Sequence, residues 1–259
     1  MVLQSKDSIN IGIVGLGLIG GSLSLDLQKL GYRIYGLTHR KESVKKAKQR
    51  SLGTVISTDP LILKDCSIVI LALPIKQLLN PSNQLINAIP QDAVVTDVGS
   101  VKSPILKIWR QLHPRFIASH PMAGTNKSGV DAGQENLFQG KPWIATPELG
   151  TDPVALEIIH QLALSLGSTW ITTNAELHDQ SVALISHLPV FISACLLKAM
   201  RQTNDSSIFE LAKDIASSGF FDTTRVGGGN EELGVAMATT NKVNLLKALS
   251  NYKQSIEEL

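Results

Sequence analysis

Cysteine is scarce in this sequence, with only Cys66 and Cys195 among 259 residues. The two lie far apart, each within an apolar stretch, so they fit neither a disulfide framework nor the paired spacing of a metal site. We expect two buried thiols in a reducing compartment, which favours the cytoplasm as the location of the protein.

Excess charge and long apolar runs are missing as well. The formal net charge of +2 is too small to favour nucleic acid or an anionic membrane surface as a partner, although it is compatible with a small anionic ligand. No apolar run approaches the roughly 18 residues of a membrane span, and Met1 to Ser8 lack the apolar core of a signal peptide. We therefore expect a small molecule as the partner, and neither a membrane nor a nucleic acid.

A glycine-rich turn stands near the start of the chain. The apolar run Ile11 to Val14 predicts a buried parallel strand, and an amphipathic helix is predicted over Leu18 to Leu30. The Gly-x-Gly-x-x-Gly spacing that joins them is typical of a dinucleotide site. The first glycine allows a tight turn, the second admits a pyrophosphate to bare backbone, and the third lets the helix pack closely on the strand. The cofactor contacts expected here are Gly15, Gly17, Leu18, Ile19 and Gly20.

Strand and helix patterns alternate over the first two thirds of the chain, which is typical of a doubly wound parallel sheet. Further strands are predicted at Arg33–Leu37, Ser67–Leu73, Ala93–Thr96, Phe116–Ser119, Trp143–Ala145 and Thr169–Thr172. After them only helical spacing is found, with helices predicted over Ala175–Met200, Ser207–Ser217 and Glu232–Leu249. We expect an α/β fold, with a Rossmann-type sheet domain over residues 1–173 and a smaller all-α domain over residues 174–259.

The predicted second domain is short, at under ninety residues. A segment of this size is small for an independent core, so it must pack on the first domain or on a second copy of the chain. We expect a homodimer joined through the helical domain.

The end of the second strand indicates which dinucleotide binds. An NAD site normally has an acid there for the ribose 2′-hydroxyl, whereas a 2′-phosphate needs a cation in its place. This chain has Thr38, His39 and Arg40, and Arg40 offers a planar charged fork suited to phosphate. Thr38 and Ser43 add hydroxyl donors. We predict NADP, the alternative being a solvated basic start of the next helix.

Other candidate residues follow later strands, where ligands gather at the carboxyl edge of a parallel sheet. Leu73 and Pro74 end one strand and are expected to contact the cofactor. Ser100 follows the predicted strand Ala93–Thr96, and His120 follows the predicted strand Phe116–Ser119. We expect these groups to converge with the glycine turn.

Six short motifs stand in order over nearly the whole chain: Gly15–Ser22, Asp97–Lys102, Ser119–Gly124, His178–Asp179, Ser186–Pro189 and Asp222–Arg225. Together they resemble the prephenate/arogenate dehydrogenase family of tyrosine biosynthesis. The resemblance implies oxidative decarboxylation of a cyclohexadienyl substrate, with hydride transfer to a nicotinamide. Tyrosine or its keto acid would be the product.

This chemistry needs a base near a ring hydroxyl, because the hydroxyl loses its proton as hydride leaves the same carbon. His120 is the candidate, since an imidazole titrates in the right range. Ser100 is expected to hydrogen-bond both His120 and the substrate hydroxyl. The alternatives are a core histidine bonded to backbone and, for Ser100, an N-cap of a helix beginning at Val101.

Arg225 is the candidate for binding a substrate carboxylate, because a guanidinium can bond both oxygens at once. Asp222, three residues earlier, is expected to orient it, the alternative being a surface ion pair. The resemblance also implies that Ser186, His187 and Thr125 bind substrate.

The long helix that carries the two late histidines contains Pro189, which predicts a kink near Ile185. On a straight helix His178 and His187 fall on opposite faces. The sequence therefore leaves open which of them faces a ligand.

Three positions depart from the prephenate-using members of the family. Such members often have a second histidine where this chain has Val190, an acid where it has Asn126, and a tryptophan near Gly234. Arogenate carries an ammonium where prephenate has a ketone, so a pocket without the extra imidazole avoids one source of repulsion. We expect an NADP-dependent arogenate dehydrogenase, with prephenate as the alternative substrate.

Two other classes stay open. A β-hydroxyacid dehydrogenase or imine reductase shares the two-domain build, but the hydroxyacid enzymes use a lysine with an adjacent asparagine where this chain has Ser186–Pro189. A non-catalytic NADP-binding module would leave His120, Ser100 and Arg225 without a shared purpose.

Overall fold

The computed structural model describes residues 9–125, 127–229 and 231–259, with the backbone alone for Leu233. Asn126 and the first eight residues, discussed above, lie outside the described residues. The chain divides into two compact units between His178 and Asp179. The boundary near residue 173 drawn from the sequence stays a prediction.

A six-stranded parallel sheet forms the centre of the first unit. Its strands are β1 (Asn10–Val14), β2 (Arg33–Leu37), β3 (Val55–Ser57), β4 (Ile68–Leu71), β5 (Val94–Asp97) and β6 (Phe116–Ile117). They lie in the order β3-β2-β1-β4-β5-β6. Every residue of β4 and β5 is buried, as continuous apolar runs require in a sheet covered on both faces. The strand order reverses between β1 and β4, the place where such sheets bind dinucleotides. The expected Rossmann-type fold is confirmed.

Six α-helices accompany the strands: α1 (Leu18–Lys29), α2 (Lys41–Gln49), α3 (Ile75–Leu79), α4 (Asn83–Ala88), α5 (Ser103–Leu112) and α6 (Pro153–Ser165). α6 shows how the local sequence sets a helix start. Asp152 accepts bonds from the backbone N–H groups of Val154 and Ala155, and Pro153 needs no donor in the first turn.

A second sheet of three strands corrects the expectation of one continuous parallel sheet. It contains β7 (Ser119–Pro121), β8 (Pro142–Ala145) and β9 (Thr169–Thr172), with β7 antiparallel to β8. The predicted strand Phe116–Ser119 is therefore two strands, and the chain changes sheet at Ala118. The cause lies in the buried side chains of Asp97 and Lys102. They bond the backbone N–H and carbonyl of Ser119, so these groups do not pair with the backbone of β5.

The second unit is helical, as expected. α7 (Ala175–Val182) leads into it and is followed by a π-helical turn over Ala183–His187. The remaining helices are α8 (Leu188–Arg201), α9 (Ser206–Asp214), α10 (Ser218–Thr224), α11 (Glu231–Thr240) and α12 (Lys242–Glu257). The predicted helix Glu232–Leu249 is two helices, interrupted at Asn241.

The π turn takes the place of the kink predicted at Ile185. Pro189 has no N–H to donate to the Ile185 carbonyl, so a regular α-turn is already broken there. A wider turn ending at His187 absorbs this defect within a continuous helix, as such bulges commonly do.

The continuous helix Ala175–Arg201 corrects the expectation that no apolar segment approaches the length of a membrane span. Its 27 residues and a hydropathy of 1.8 make it, among the described helices, long and apolar enough to cross a membrane. Helices of soluble proteins pass the same test, and this one carries the buried polar side chains of His178, Asp179 and His187. Length and composition alone are weak evidence for a span.

The two cysteines differ in exposure. Cys66 is buried, and burial raises the pKa of its thiol to about 12, so it stays protonated at neutral pH. Cys195 is exposed on α8, contrary to the expectation of two buried thiols. Its apolar neighbours belong to a helix face that the unit itself does not cover, so an apolar stretch did not mean burial here.

Candidate active site

The three glycines of the turn after β1 have different surroundings. Gly15 has a φ of +97°, and a Cβ there would lie 2.3 Å from the carbonyl oxygen of Ala72. A Cβ on Gly20 would lie 1.8 Å from the carbonyl oxygen of Gly15. Gly17 has nothing within 4 Å of the Cβ position. Two of the glycines are therefore required by packing, and the middle one leaves open space beside the turn.

That open space lies at the N-terminus of α1. Gly17 is the N-cap residue and has no side chain to bond the first free N–H groups of the helix. Leu18 and Ile19 form the first turn and are half-buried. Bare backbone donors at the positive end of a 12-residue helix suit a pyrophosphate, so the residues present fit a dinucleotide.

The end of β2 offers a cation and no acid. Arg40 is exposed, is the N-cap residue of α2 and has no ion pair within the described ranges. His39 is also exposed, and Ser43 is half-buried in the first turn of α2. Thr38 is buried, and its hydroxyl donates to the Arg40 carbonyl at 3.3 Å. The Arg40 guanidinium can therefore turn toward a ligand phosphate without breaking an ion pair to any residue that the structure describes.

The end of β4 continues the same edge of the sheet. Ala72 packs against the glycine turn, and Leu73 follows it half-buried. Pro74 is exposed and is the N-cap residue of α3. The structure thus places Leu73 and Pro74 next in sequence to the residue that fixes Gly15.

A buried ion pair lies behind β7. Asp97 and Lys102 are fully buried, and the Lys102 ammonium bonds Oδ2 of Asp97. The same ammonium donates to the carbonyl of Ser119 at 2.7 Å, and Oδ1 of Asp97 accepts the N–H of Ser119 at 3.2 Å. Burial raises the pKa of the Asp97 carboxyl, and the Lys102 ammonium opposes that rise. The pair fixes the residue that precedes His120.

Ser100 does not have the contacts expected of it. Its hydroxyl is buried and has no hydrogen-bond partner among the described residues, so the bond to His120 is not formed. It is not an N-cap either, because α5 begins at Ser103. The segment between β5 and α5 is occupied by the Lys102 contacts, which delay the helix by two residues. An unpartnered buried hydroxyl is nevertheless suited to a ligand.

His120 lies in β7 and faces another histidine. Its side chain is 9% exposed, and its Nδ1 lies 3.0 Å from Nε2 of His178. His178 is on α7, 58 residues later in the chain. The sequence marked His178 through a family motif but gave no reason to pair it with His120, since the pairing depends on the second sheet.

In the second unit, His187 is buried and bonded to Asn241. The Asn241 amide lies 3.2 Å from Nδ1 of His187 and donates to the Asp179 carbonyl at 2.7 Å. Asn241 stands at the break between α11 and α12, a position that the sequence analysis had placed inside one helix. Ser186, next to His187 in the π turn, is half-buried.

Arg225 and Thr125 are exposed within their own units. Arg225 follows α10 and, in the part of the chain described, has no ion pair with Asp222, which corrects the expected orientation by that acid. Arg225 is the C-cap residue of α10, and Thr125 lies in the loop that follows β7. The Thr125 hydroxyl accepts the N–H of Lys127 at 3.2 Å.

The strand order, the glycine turn and the uncovered helix N-terminus define a dinucleotide-binding protein of the Rossmann type. Comparison with known proteins narrows the class. Residues 23–172 match the family described as prephenate dehydrogenase, nucleotide-binding domain. Residues 174–259 match prephenate dehydrogenase, dimerization domain. The chain belongs to the prephenate/arogenate dehydrogenase family.

Individual relatives belong to the same family. A prephenate dehydrogenase of Bacillus subtilis is 33% identical over 99% of this chain and 70% of its own length. The crystal structure of Synechocystis arogenate dehydrogenase is 42% identical, with a TM-score of 0.82, over 96% of this chain and 90% of that one. The crystal structure of Aquifex aeolicus prephenate dehydrogenase, in complex with hydroxyphenyl propionate and NAD+, is 30% identical, with a TM-score of 0.91. The match covers 100% of this chain and 91% of that one.

Membership confirms an oxidoreductase of tyrosine biosynthesis that uses a nicotinamide cofactor and a small-molecule substrate. The dimerization domain confirms the expected homodimer. The helix Ala175–Arg201 exposes the apolar side chains of Leu184, Ile185 and Phe191, as expected of a domain that pairs with a second copy. The hydroxyacid dehydrogenase and the non-catalytic module are thereby set aside.

Proposed function

We propose that this enzyme converts L-arogenate to L-tyrosine in the cytoplasm, with NADP as the oxidant. The observation that carries the choice of substrate is the 42% identity to Synechocystis arogenate dehydrogenase, against 30% and 33% for the two prephenate dehydrogenases named above. Prephenate, which would give 4-hydroxyphenylpyruvate, is the second candidate, supported by the higher TM-score of the Aquifex aeolicus enzyme.

NADP is favoured by the end of β2. The exposed Arg40 has no partner to give up in the described structure, and Thr38 stands where an NAD site has its acid. In this proposal Arg40, His39, Thr38 and Ser43 surround the 2′-phosphate. Gly15, Gly17, Leu18, Ile19 and Gly20 hold the pyrophosphate, and Leu73 and Pro74 border the cofactor beyond the glycine turn.

The reaction breaks three bonds in the substrate. When bound, a nicotinamide would supply the hydride acceptor for the ring carbon that bears the hydroxyl. His120 accepts the hydroxyl proton as the carbonyl forms. The bond to the ring carboxylate then breaks, carbon dioxide leaves, and its electron pair makes the ring aromatic. His120 returns the proton to the phenolate oxygen, so the substrate and the oxidised cofactor give tyrosine, carbon dioxide and the reduced cofactor.

The remaining site residues bind and orient the substrate. Ser100, whose buried hydroxyl lacks a partner within the described ranges, donates to the substrate hydroxyl oxygen. Arg225 binds a substrate carboxylate through both oxygens. Ser186, His187 and Thr125 bind the polar groups of the substrate. Each of these residues acts before and during the chemical step, whereas His120 acts in the transition state.

Initial rates with four substrate and cofactor pairs test the proposal. Purified protein is assayed with arogenate or prephenate, each with NADP or NAD, and the products are separated to distinguish tyrosine from its keto acid. We expect the highest kcat/KM for arogenate with NADP. A higher kcat/KM for prephenate selects the second candidate, and turnover of neither compound refutes both.

A further inference from the structure

The contact between His120 and His178 has a chemical consequence for the base. The rings meet at 71°, with Nδ1 of His120 3.0 Å from Nε2 of His178, and both side chains are more than nine-tenths buried. A nitrogen pair at this distance is a hydrogen bond, in which one ring donates and the other accepts. The protonation of one ring therefore fixes that of the other.

We propose that His178 is a positioning residue, which accepts a hydrogen bond from Nδ1 of His120 and so makes Nε2 of His120 the base. This inference rests on the reaction proposed above. A neutral imidazole has one N–H and one lone pair. If His178 donated instead, the hydrogen of His120 would stand on Nε2, and that nitrogen could not accept the substrate proton.

The pairing also stabilises the product of proton transfer. When His120 takes the proton, its Nδ1–H becomes part of a charged donor, and hydrogen bonds from charged donors are roughly twice as strong as neutral ones. The arrangement parallels the residue that orients the histidine of a serine protease triad. The acceptor here is an imidazole nitrogen of His178 and not a carboxylate. It therefore orients the His120 ring without placing a negative charge beside it.

Both rings are held by their own segments. The side chain of Asn174 accepts the N–H of Leu177 at 2.7 Å, which caps α7 and fixes the turn that carries His178. On the other side, Asp97 and Lys102 bond the backbone of Ser119, next to His120. The charged groups on these segments are that ion pair and, on α7, Glu176 and Asp179.

Two substitutions of His178 separate an acceptor from a space-filling role. His178→Phe fills the volume without an acceptor, and His178→Gln keeps an acceptor near the position of Nε2. The matched control is His160→Phe, because His160 is bonded to Glu157 on the surface of α6. For each variant, kcat and KM are measured across pH, together with NADP affinity and the unfolding temperature.

We expect His178→Phe to lower kcat about ten- to hundredfold and to move the acid limb of the rate profile, with NADP affinity unchanged. His178→Gln should recover most of the loss, and His160→Phe should match the parent. A His178→Phe enzyme with the parental kcat and pH profile overturns the proposal. Equal losses in the Phe and Gln variants also overturn it, since they indicate that shape alone matters.

The tautomer of His120 can be read without turnover. The chain has six histidines, so ¹⁵N labelling of the rings gives a spectrum that single substitutions can assign. We expect neutral His120 to carry its hydrogen on Nδ1 in the parent and to lose this preference in His178→Phe. A hydrogen on Nε2 in the parent overturns the proposal. If the parent turns over neither arogenate nor prephenate, the proposed function fails while this measurement still decides the pairing.

Discussion

Lys102 donates a hydrogen bond to the backbone carbonyl of Ser119 at 2.7 Å, from a side chain that is fully buried. The carboxylate of Asp97 pairs with the same ammonium and accepts the N–H of Ser119. Both backbone groups of the residue before His120 are thus bonded to one ion pair. The pair sets where the chain leaves the first sheet and where the imidazole stands.

Removing the lysine should destabilise the protein strongly. Lys102→Met leaves the Asp97 charge buried without its partner, which costs about 3–5 kcal/mol in comparable cases. The double variant Asp97→Asn, Lys102→Met removes the orphaned charge and should recover part of the loss. Urea unfolding measures both, with Lys107→Met, which changes an exposed lysine of α5, as the control. A loss below about 1 kcal/mol for Lys102→Met would contradict this account.

The fold was predictable where one local pattern decides the structure. The strand Arg33–Leu37 has the bounds that the sequence predicted, because a turn containing Gly31 precedes it and a polar segment follows. β3 escaped notice because three residues are too few to show a period. The switch of sheets at Ala118 depends on Lys102 and Asp97, whose buried pairing has no signature in the sequence.

The middle and last glycines of the turn should behave differently on substitution. Gly17→Ala places a methyl group in open space, so the fold should persist while NADP affinity falls, because the methyl group stands where the pyrophosphate approaches. Gly20→Ala forces a carbon to within 1.8 Å of the Gly15 carbonyl, so the unfolding temperature should fall. Thermal unfolding without cofactor and NADP titration measure the two effects. Equal thermal losses in both variants would show that Gly17 is also required by packing.

NADP preference should depend on Arg40. Arg40→Asp places a carboxylate beside the 2′-phosphate, so the KM for NADP should rise about tenfold to a hundredfold while that for NAD changes little. Lys48→Asp, exposed in the last turn of the same helix, makes the same change in net charge and serves as the control. An equal loss for both cofactors in Arg40→Asp would exclude a 2′-phosphate contact.

The candidate site was predictable in its residue types and less so in its contacts. His120 was found because a histidine at a strand end, inside a family motif, is a strong signal for a base. Its partner His178 was left undecided, since a straight helix cannot show which histidine reaches a ring 58 residues away. Asn241 lies within a continuous helix pattern in the sequence. Its bond to His187 could not be predicted, because the pattern does not show that the chain breaks there between α11 and α12.

The last prediction separates the base from the carboxylate ligand. His120→Asn keeps a polar side chain but removes the group that accepts the proton in the transition state, so kcat should fall by roughly two to four powers of ten while NADP affinity is retained. The parent should lose activity at acid pH, because a protonated imidazole cannot accept, and this acid limb should disappear from the residual rate of the variant.

Arg225→Ala should chiefly raise KM, because a carboxylate contact acts in the ground state as well as in the transition state. Arg201→Ala, which removes another exposed guanidinium of the same unit, controls for the loss of charge. Steady-state kinetics across pH, with NADP binding measured separately, compares the variants. A His120→Asn enzyme with near-parental kcat and an unchanged acid limb would remove His120 from the mechanism. Since His178 acts only through His120, such a result would also leave the histidine pair as a structural contact and place the base elsewhere in the site.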